Sequence, residues 1–169
     1  MKKRNNLAVR KIFIIAAISI VFFVAESILF YFFRSWVKPN LLILLVIFFN
    51  MHQGIRYALV AAVCAGVLKD SFSGSLFGLY LFSFVACAYL MVALKKYLFG
   101  MEFKFSTTLM TSVMIIVNAV MVFLLQSSYY TVDAREALIY IVLPEVIITL
   151  LIFSFIFEKL KKCALKFSV

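Results

Sequence analysis

Long apolar stretches that carry almost no charge run through this chain of 169 residues, and they constrain its fold more than any other feature. A helix needs about 20 apolar residues to cross roughly 30 Å of hydrocarbon. The candidate spans cover residues 12–33, 37–53, 55–69, 74–94, 105–126 and 137–157. The sequence therefore predicts an all-α integral membrane protein, a six-helix transmembrane bundle that forms a single domain over residues 1–169.

The composition excludes most soluble classes. The chain is 66% hydrophobic and 14% charged, whereas ordinary domains are about 45–50% apolar and about 25% charged. A small domain buries only part of its surface, so twenty Phe and eight Tyr indicate lipid as the surrounding solvent. A cytosolic enzyme, a secreted disulfide scaffold and a disordered chain are excluded. The three cysteines have no paired spacing, which gives no support for a disulfide or a zinc site.

The distribution of basic residues indicates the orientation, because cytoplasmic loops carry an excess of Lys and Arg. With the N-terminus inside and six crossings, thirteen basic residues face the cytoplasm and four face outward. The inner residues are Lys2, Lys3, Arg4, Arg10, Lys11, Arg56, Lys95, Lys96, Lys104, Lys159, Lys161, Lys162 and Lys166. The outer residues are Arg34, Lys38, Lys69 and Arg135. This predicts two cytoplasmic termini, with Lys69 at the outer end of the third span and Asp70 at the start of the outer connection that follows. The net charge of +10 then reflects topology rather than nucleic-acid binding.

Three polar residues lie within the predicted spans, at similar depths in the outer half of the membrane: Glu26, Asn118 and Glu145. An ionised group in a span costs several kcal/mol unless it is paired or neutralised. We therefore expect a shared polar cluster in which at least one Glu is protonated, because close like charges disfavour ionisation. The alternative is that each residue hydrogen-bonds a neighbouring helix as a packing contact.

The segment from Asp70 to Gly78 reads as a tight turn that leads into a helix. Asp70 or Ser73 is suited to cap the helix, and Gly74 to take a positive φ. The hydroxyls could instead hold an anion at the helix start, although there is no phosphate-loop spacing. The segment is a candidate structural motif or partner contact.

Small residues recur at helical spacing on the third and fourth spans. They are Ala58, Ala62, Ala65 and Gly66 on the third span, and Ser83, Ala86 and Ala93 on the fourth. This pattern predicts close helix approach, either to another helix of this chain or to a partner subunit.

No catalytic motif accompanies these features. The single histidine, His52, has no acid or cysteine nearby in the sequence, and no nucleophile elbow, HExxH or Walker motif occurs. We expect no enzymatic activity, no cofactor and no metal.

The order of features resembles the MreD family of rod shape-determining membrane proteins. The residues that carry the resemblance are Pro39-Asn40-Leu41-Leu42, Lys69-Asp70, Asp70-x-x-Ser73-Gly74-x-x-Phe77-Gly78, Tyr80, Tyr89 and Lys95-Lys96. Asn40 departs from the pattern, because family members often carry an acid after the proline.

The resemblance implies a non-catalytic component of the cell-elongation machinery in the bacterial cytoplasmic membrane. It implies association with MreC, and through MreC with MreB, RodA and a class B penicillin-binding transpeptidase. The implied role is to help organise lateral peptidoglycan synthesis and cell shape, among membrane lipids and without nucleic acid. Pro39, Asp70, Ser73, Gly74 and Gly78 are the candidate motif residues.

An alternative function is the substrate-binding S component of an energy-coupling-factor vitamin transporter, whose architecture the MreD family is similar to. An outward-facing pocket would then include Glu26, Asn118 and Glu145. A lipid-handling enzyme is a third reading, which the absence of a nucleophile or metal set disfavours.

Overall fold

A computed structural model describes residues 2–32, 39–74, 77–97, 103–127 and 143–153, and this part of the chain forms six helices. The helices are α1 (Lys2–Phe32), α2 (Leu41–Gln53), α3 (Ile55–Ser73), α4 (Leu79–Tyr97) and α5 (Phe103–Ser127), followed by α6 (Leu143–Phe153). The all-α prediction is confirmed for the described residues.

Consecutive helices run in opposite directions through the bundle. Helices α1 and α2 are antiparallel, because Glu26 near the end of α1 contacts the start of α2. Helices α2 and α4 are parallel, because Asn50 near the end of α2 contacts the second half of α4. Helices α1 and α3 are parallel, because Lys11 lies 5.6 Å from the Tyr57 ring centroid near their starts. We call the end of the bundle that holds Glu26 the Glu26 end, and the opposite end the Lys95 end.

Helix α2 forms the centre of the bundle and α1 lies at its periphery. Nine of the 13 residues of α2 are buried, and the helix contacts α1, α3, α4 and α5. Helix α1 is largely exposed on the bundle surface, with Val21 65% and Ile28 63% exposed. An apolar helix with this exposure requires a hydrocarbon environment.

Three helical segments are long and apolar enough to cross a membrane: Val9–Phe32, Leu79–Tyr97 and Thr108–Leu125. The apolar helices Leu41–Gln53 and Leu143–Phe153 are shorter. The 13 residues of α2 rise about 20 Å, which is less than the roughly 30 Å of a hydrocarbon core. Six complete crossings therefore stay a prediction.

Several helix limits differ from the predicted spans. Helix α1 begins at Lys2 instead of residue 12, α3 continues past residue 69 to Ser73, and α4 begins at Leu79 instead of residue 74. Residues 33, 37–38, 75–76, 137–142 and 154–157 of the predicted spans lie outside the described residues.

The small residues of α3 pack inside this chain. Ala58, Ala62 and Ala65 are completely buried, and Gly66 is also buried. A Cβ atom at Gly66 would lie 2.5 Å from the Leu81 Cα atom. The predicted close approach is therefore confirmed for α3, and its neighbour is α4. On α4, Ser83 is buried whereas Ala86 is half-buried and Ala93 is exposed, so the predicted face is only partly internal.

Candidate functional site: a buried ionic network at one end of the bundle

The Glu26 carboxylate joins three helices at the Glu26 end. Its Oε2 atom accepts hydrogen bonds from the backbone N–H groups of Leu41 (2.9 Å) and Leu42 (3.3 Å), and its Oε1 atom lies 2.8 Å from Lys69 Nζ. The first N–H groups of a helix have no partner within the helix, and the helix dipole favours a negative charge there. Glu26 therefore satisfies the start of α2 while it pairs with α3.

Lys69 is the counter-ion of this carboxylate, a partner that the sequence did not indicate. It lies in α3 with only 8% of its surface exposed, and its ammonium is 4.8 Å from the centroid of the Tyr80 ring. The physical reason is that an unpaired buried carboxylate costs several kcal/mol, and a lysine one helix away compensates Glu26. Lys69 thus supplies a positive charge that faces the Glu26 carboxylate.

Asn40 connects α2 to α6. Its backbone N–H donates to Thr149 Oγ1 (3.1 Å), and its side-chain Nδ2 donates to Glu145 Oε1 (3.3 Å). Its Oδ1 atom also accepts from the Ile43 N–H at 3.4 Å, which caps α2. Asn40 is 1% exposed. The residue that departs from the family pattern is thus a buried junction between two helices.

The three residues of the predicted cluster, Glu26, Asn118 and Glu145, have different hydrogen-bond partners in the structure. Contacts at the start of α2 link Glu26 to Glu145 through adjacent residues. Asn118 instead accepts a 2.7 Å hydrogen bond from the Ser83 hydroxyl. This bond joins α5 to α4 and corresponds to the packing alternative.

Asp70 caps α4, as one of the two expected capping residues. It is 4% exposed, and its carboxylate accepts from the N–H groups of Gly78 (3.0 Å), Tyr80 (2.9 Å) and Leu81 (3.0 Å). The placement of Asp70 in an outer loop is wrong, because α3 continues through this residue to Ser73. Asp70 therefore connects the last turn of α3 to the start of α4.

The other residues of the predicted motif shape the same turn. Gly74 has the expected positive φ of 65°, and Gly78 has a φ of 104°. The Ser73 hydroxyl donates to the Asp70 carbonyl at 3.4 Å. Pro39 is buried directly before the Asn40 cap, which places it in the helix junction rather than on an exposed contact surface.

A cleft of about 150 Å³ opens beside the ion pair. Its lining residues are Phe23, Glu26, Ser27, Phe30, Lys69, Phe72, Ser73 and Tyr80. The Phe23 and Phe72 rings contact each other, with centroids 4.9 Å apart. The cleft therefore combines a buried ion pair with aromatic walls.

The Lys95 end holds a smaller polar contact. The Lys95 ammonium donates to the backbone carbonyl of Asn50 and, at 3.2 Å, to its Oδ1 atom. The Asn50 Nδ2 atom donates to the Ala88 carbonyl at 2.7 Å. Lys95 thus satisfies a carbonyl in the last turn of α2, where a positive charge is favourable.

The described residues contain no group of three or more His, Cys, Asp and Glu side chains placed to hold a metal ion. Sequence reasoning missed Lys69, Asn40, Thr149 and Tyr80 as members of the network. One signal was available for Lys69, since it is among the few basic residues on the predicted outer side. For Thr149, only the fold shows which helix lies opposite.

These features define an integral membrane protein of the helical-bundle class, in which buried polar side chains join the helix ends. The chain belongs to the MreD family, because the model of that family, described as rod shape-determining protein MreD, matches residues 7–162. The resemblance found in the sequence is confirmed by this match. Comparisons with curated proteins and with solved structures found no match.

Proposed function

We propose that this protein is a non-catalytic scaffold of the bacterial cell-elongation machinery. It acts together with MreC, and through MreC with MreB, RodA and a class B penicillin-binding transpeptidase, to organise lateral peptidoglycan synthesis. The observation that carries the proposal is the match to the rod shape-determining family over residues 7–162.

The buried network supports a scaffold role. Glu26 joins α1, α2 and α3, and Asn40 extends the network to α6. Fully hydrogen-bonded buried polar groups make the arrangement of helices rigid. These carboxylates and amides hold the helices together. This arrangement favours a rigid scaffold over an enzyme.

The proposed orientation places the N-terminus in the cytoplasm and the Glu26 end outside. The Lys95 end carries basic side chains on several helices, among them Lys11, Arg56, Lys95 and Lys96, as expected of a cytoplasmic face. The Glu26 end instead carries exposed aromatic residues. These are Tyr31 (88% exposed), Phe32 (81%), Phe72 (72%) and Phe77 (69%). Aromatic belts occur at both membrane–water interfaces, so these residues agree with this end lying at one of the two interfaces.

The turn from Asp70 to Gly78 is the proposed partner contact on that surface. Asp70 is occupied by the cap of α4, and Gly74 and Gly78 set the backbone path, so their role is to hold the turn in shape. Phe77 projects from this turn. Exposed aromatic side chains are common anchors of protein interfaces.

The transporter alternative has little support from the cleft. Small-molecule sites are usually about 300–1,000 Å³ in volume, and this cleft is about 150 Å³. We therefore propose the scaffold role and not the transporter role.

The experiment is affinity purification of the tagged protein from native membranes, with MreC as the expected partner. Phe77→Ala should reduce the recovered MreC by at least about fivefold, as expected for an interface anchor worth more than about 1 kcal/mol. Phe13→Ala is the matched control, because Phe13 is similarly exposed (71%) but lies near the other end of α1. Its recovery of MreC should equal that of the wild type.

Depletion of the protein should also make rod-shaped cells round. Normal morphology after deletion in a strain without a second copy, or recovery of no MreC, would contradict the scaffold role. Wild-type recovery by the Phe77 variant would contradict only the contact at the turn.

A further inference from the structure

The cleft beside Glu26 and Lys69 has one polar wall and one apolar wall. Glu26 and Lys69 are 9% and 8% exposed, so their charged groups form its inner part. Ser27 and Phe72 also line the cleft and are exposed on the bundle surface. The cleft therefore opens sideways between α1 and α3, toward the medium around the helices.

The size of the cleft restricts its occupant. The cleft volume of about 150 Å³ leaves room for several water molecules or a group of similar size. This space fits a compact polar group such as a lipid headgroup. A vitamin-sized ligand needs at least about twice that volume.

The charges restrict the occupant further. Glu145 lies near enough for its charge to act on Lys69, so the described cluster has two carboxylates and one ammonium. An anionic headgroup would bring another negative charge to this cluster, and like charges at close range repel each other. A zwitterionic headgroup adds no net charge and brings an ammonium to the carboxylates.

The hydrogen-bonding groups match the two halves of such a headgroup. The lysine ammonium has three N–H donors, and the ion pair with Glu26 Oε1 uses one of them. The Tyr80 hydroxyl is a further donor on the cleft wall. These donors suit the phosphate of the headgroup. The Glu26 carboxylate has about four lone-pair sites, so it can also accept from the primary ammonium of the headgroup.

The apolar wall continues as a track for acyl chains. Phe23, Phe30 and Phe72 line the cleft, and Ile20, one turn before Phe23, is 52% exposed. Helix α1 thus presents apolar side chains from the cleft toward the middle of the bundle.

We propose that the cleft binds a phospholipid whose headgroup is zwitterionic and ends in a primary ammonium. The phosphate lies against Lys69 and Tyr80, the ammonium lies against Glu26, and the chains follow the exposed face of α1.

The test measures lipid retained by the full-length protein in detergent, by native mass spectrometry after the addition of one defined lipid at a time. The probes are dioleoyl phosphatidylethanolamine, dioleoyl phosphatidylglycerol and dioleoyl phosphatidylcholine. We expect retention of phosphatidylethanolamine to exceed that of the other two by about tenfold, which is about 1.4 kcal/mol. Phosphatidylcholine is disfavoured because its methylated ammonium donates no N–H bond and is larger.

Ser27→Phe fills the cleft mouth without removing either member of the ion pair. Ser71→Phe is the matched control, because both serines are exposed and donate to the carbonyl four residues earlier, whereas Ser71 does not line the cleft. Ser27→Phe should lose the preference for phosphatidylethanolamine, and Ser71→Phe should keep it. Both variants should melt within a few degrees of the wild type.

Three results would overturn the proposal. The first is equal retention of the three lipids, or a preference for phosphatidylglycerol, in the wild type. The second is wild-type retention by Ser27→Phe. The third is loss of MreC from Ser27→Phe with lipid retention unchanged, since the cleft would then be a protein docking surface. None of these lipid measurements bears on whether MreC binds the wild-type protein, so failure here leaves the scaffold role standing.

Discussion

The Glu26 carboxylate illustrates how a single residue makes a buried charge compatible with an apolar helix. One oxygen accepts from the start of α2 and the other pairs with Lys69. The arrangement combines a helix N-terminus with a counter-ion, and both place positive charge beside the carboxylate. A side chain that looks unfavourable along the sequence is thus stabilising once α2 and α3 surround it.

Lys69→Met should show how much the Glu26–Lys69 ion pair contributes to the free energy of unfolding. It leaves Glu26 as a buried charge without its counter-ion, and removal of one partner of such a pair costs about 3–5 kcal/mol. Unfolding of the purified protein in detergent by chemical denaturant measures the change. In the double variant Glu26→Gln/Lys69→Met, the Gln oxygen still accepts from the N–H groups of α2, and no buried charge is left from the pair.

The double variant should therefore recover at least half of the lost free energy of unfolding. A double variant as unstable as Lys69→Met would mean that the charge of Glu26, rather than its pairing, stabilises the bundle.

At the scale of helices, the close contact between α3 and α4 depends on a glycine, Gly66, which has no side chain. Gly66 lets α3 approach until the position of its absent Cβ is 2.5 Å from the Leu81 Cα atom and 2.9 Å from the Leu81 nitrogen. These are backbone atoms, so a change of side-chain rotamer cannot relieve the contact. The same two helices are joined again by the Asp70 cap.

Gly66→Ala should push α3 and α4 apart and lower the free energy of unfolding by about 1–3 kcal/mol, as overpacking does. Thermal denaturation in detergent measures the effect. Adding Leu81→Gly should not restore stability, because the Leu81 Cα and nitrogen atoms stay in place. The control Val63→Ala, on the exposed side of α3, should change stability by about 0.5 kcal/mol or less. Full rescue by Leu81→Gly would show that side-chain crowding is the cause.

At the scale of the whole molecule, the alternating helix directions place two chemically different ends on the bundle. The Glu26 end has the buried ionic network and exposed aromatic rings, and the Lys95 end has basic side chains. From the positive-inside rule we propose that the basic end lies in the cytoplasm.

Cysteine labelling tests this orientation. Phe77 (69% exposed) and Tyr97 (85% exposed) lie at opposite ends, and each is changed to Cys after replacement of Cys64, Cys87 and Cys163. A membrane-impermeant maleimide should label Phe77→Cys in intact cells, and Tyr97→Cys only after the cells are permeabilised. The reverse pattern would place the Glu26 end in the cytoplasm, and labelling of both in intact cells would contradict a transmembrane arrangement.

The sequence predicted part of the candidate site because some interactions are local. The Asp70 cap and the positive φ of Gly74 depend on residues within about ten positions, so turn chemistry is sufficient to find them. The pairs Glu26–Lys69 and Asn40–Thr149 join residues far apart in the chain. Charge depth alone suggested that Glu26, Asn118 and Glu145 meet, but depth does not indicate which helices are neighbours.

The sequence by itself determined the solvent and the class of fold, because continuous apolar helices with so few charges are stable only in hydrocarbon. It also determined family membership and the local turn between α3 and α4. Only the tertiary structure decided which buried charges are paired, that Lys69 lies inside the bundle, and where a cleft opens. The reason is that hydrophobicity acts on each segment independently, whereas an ion pair or a cavity exists only when particular helices become neighbours.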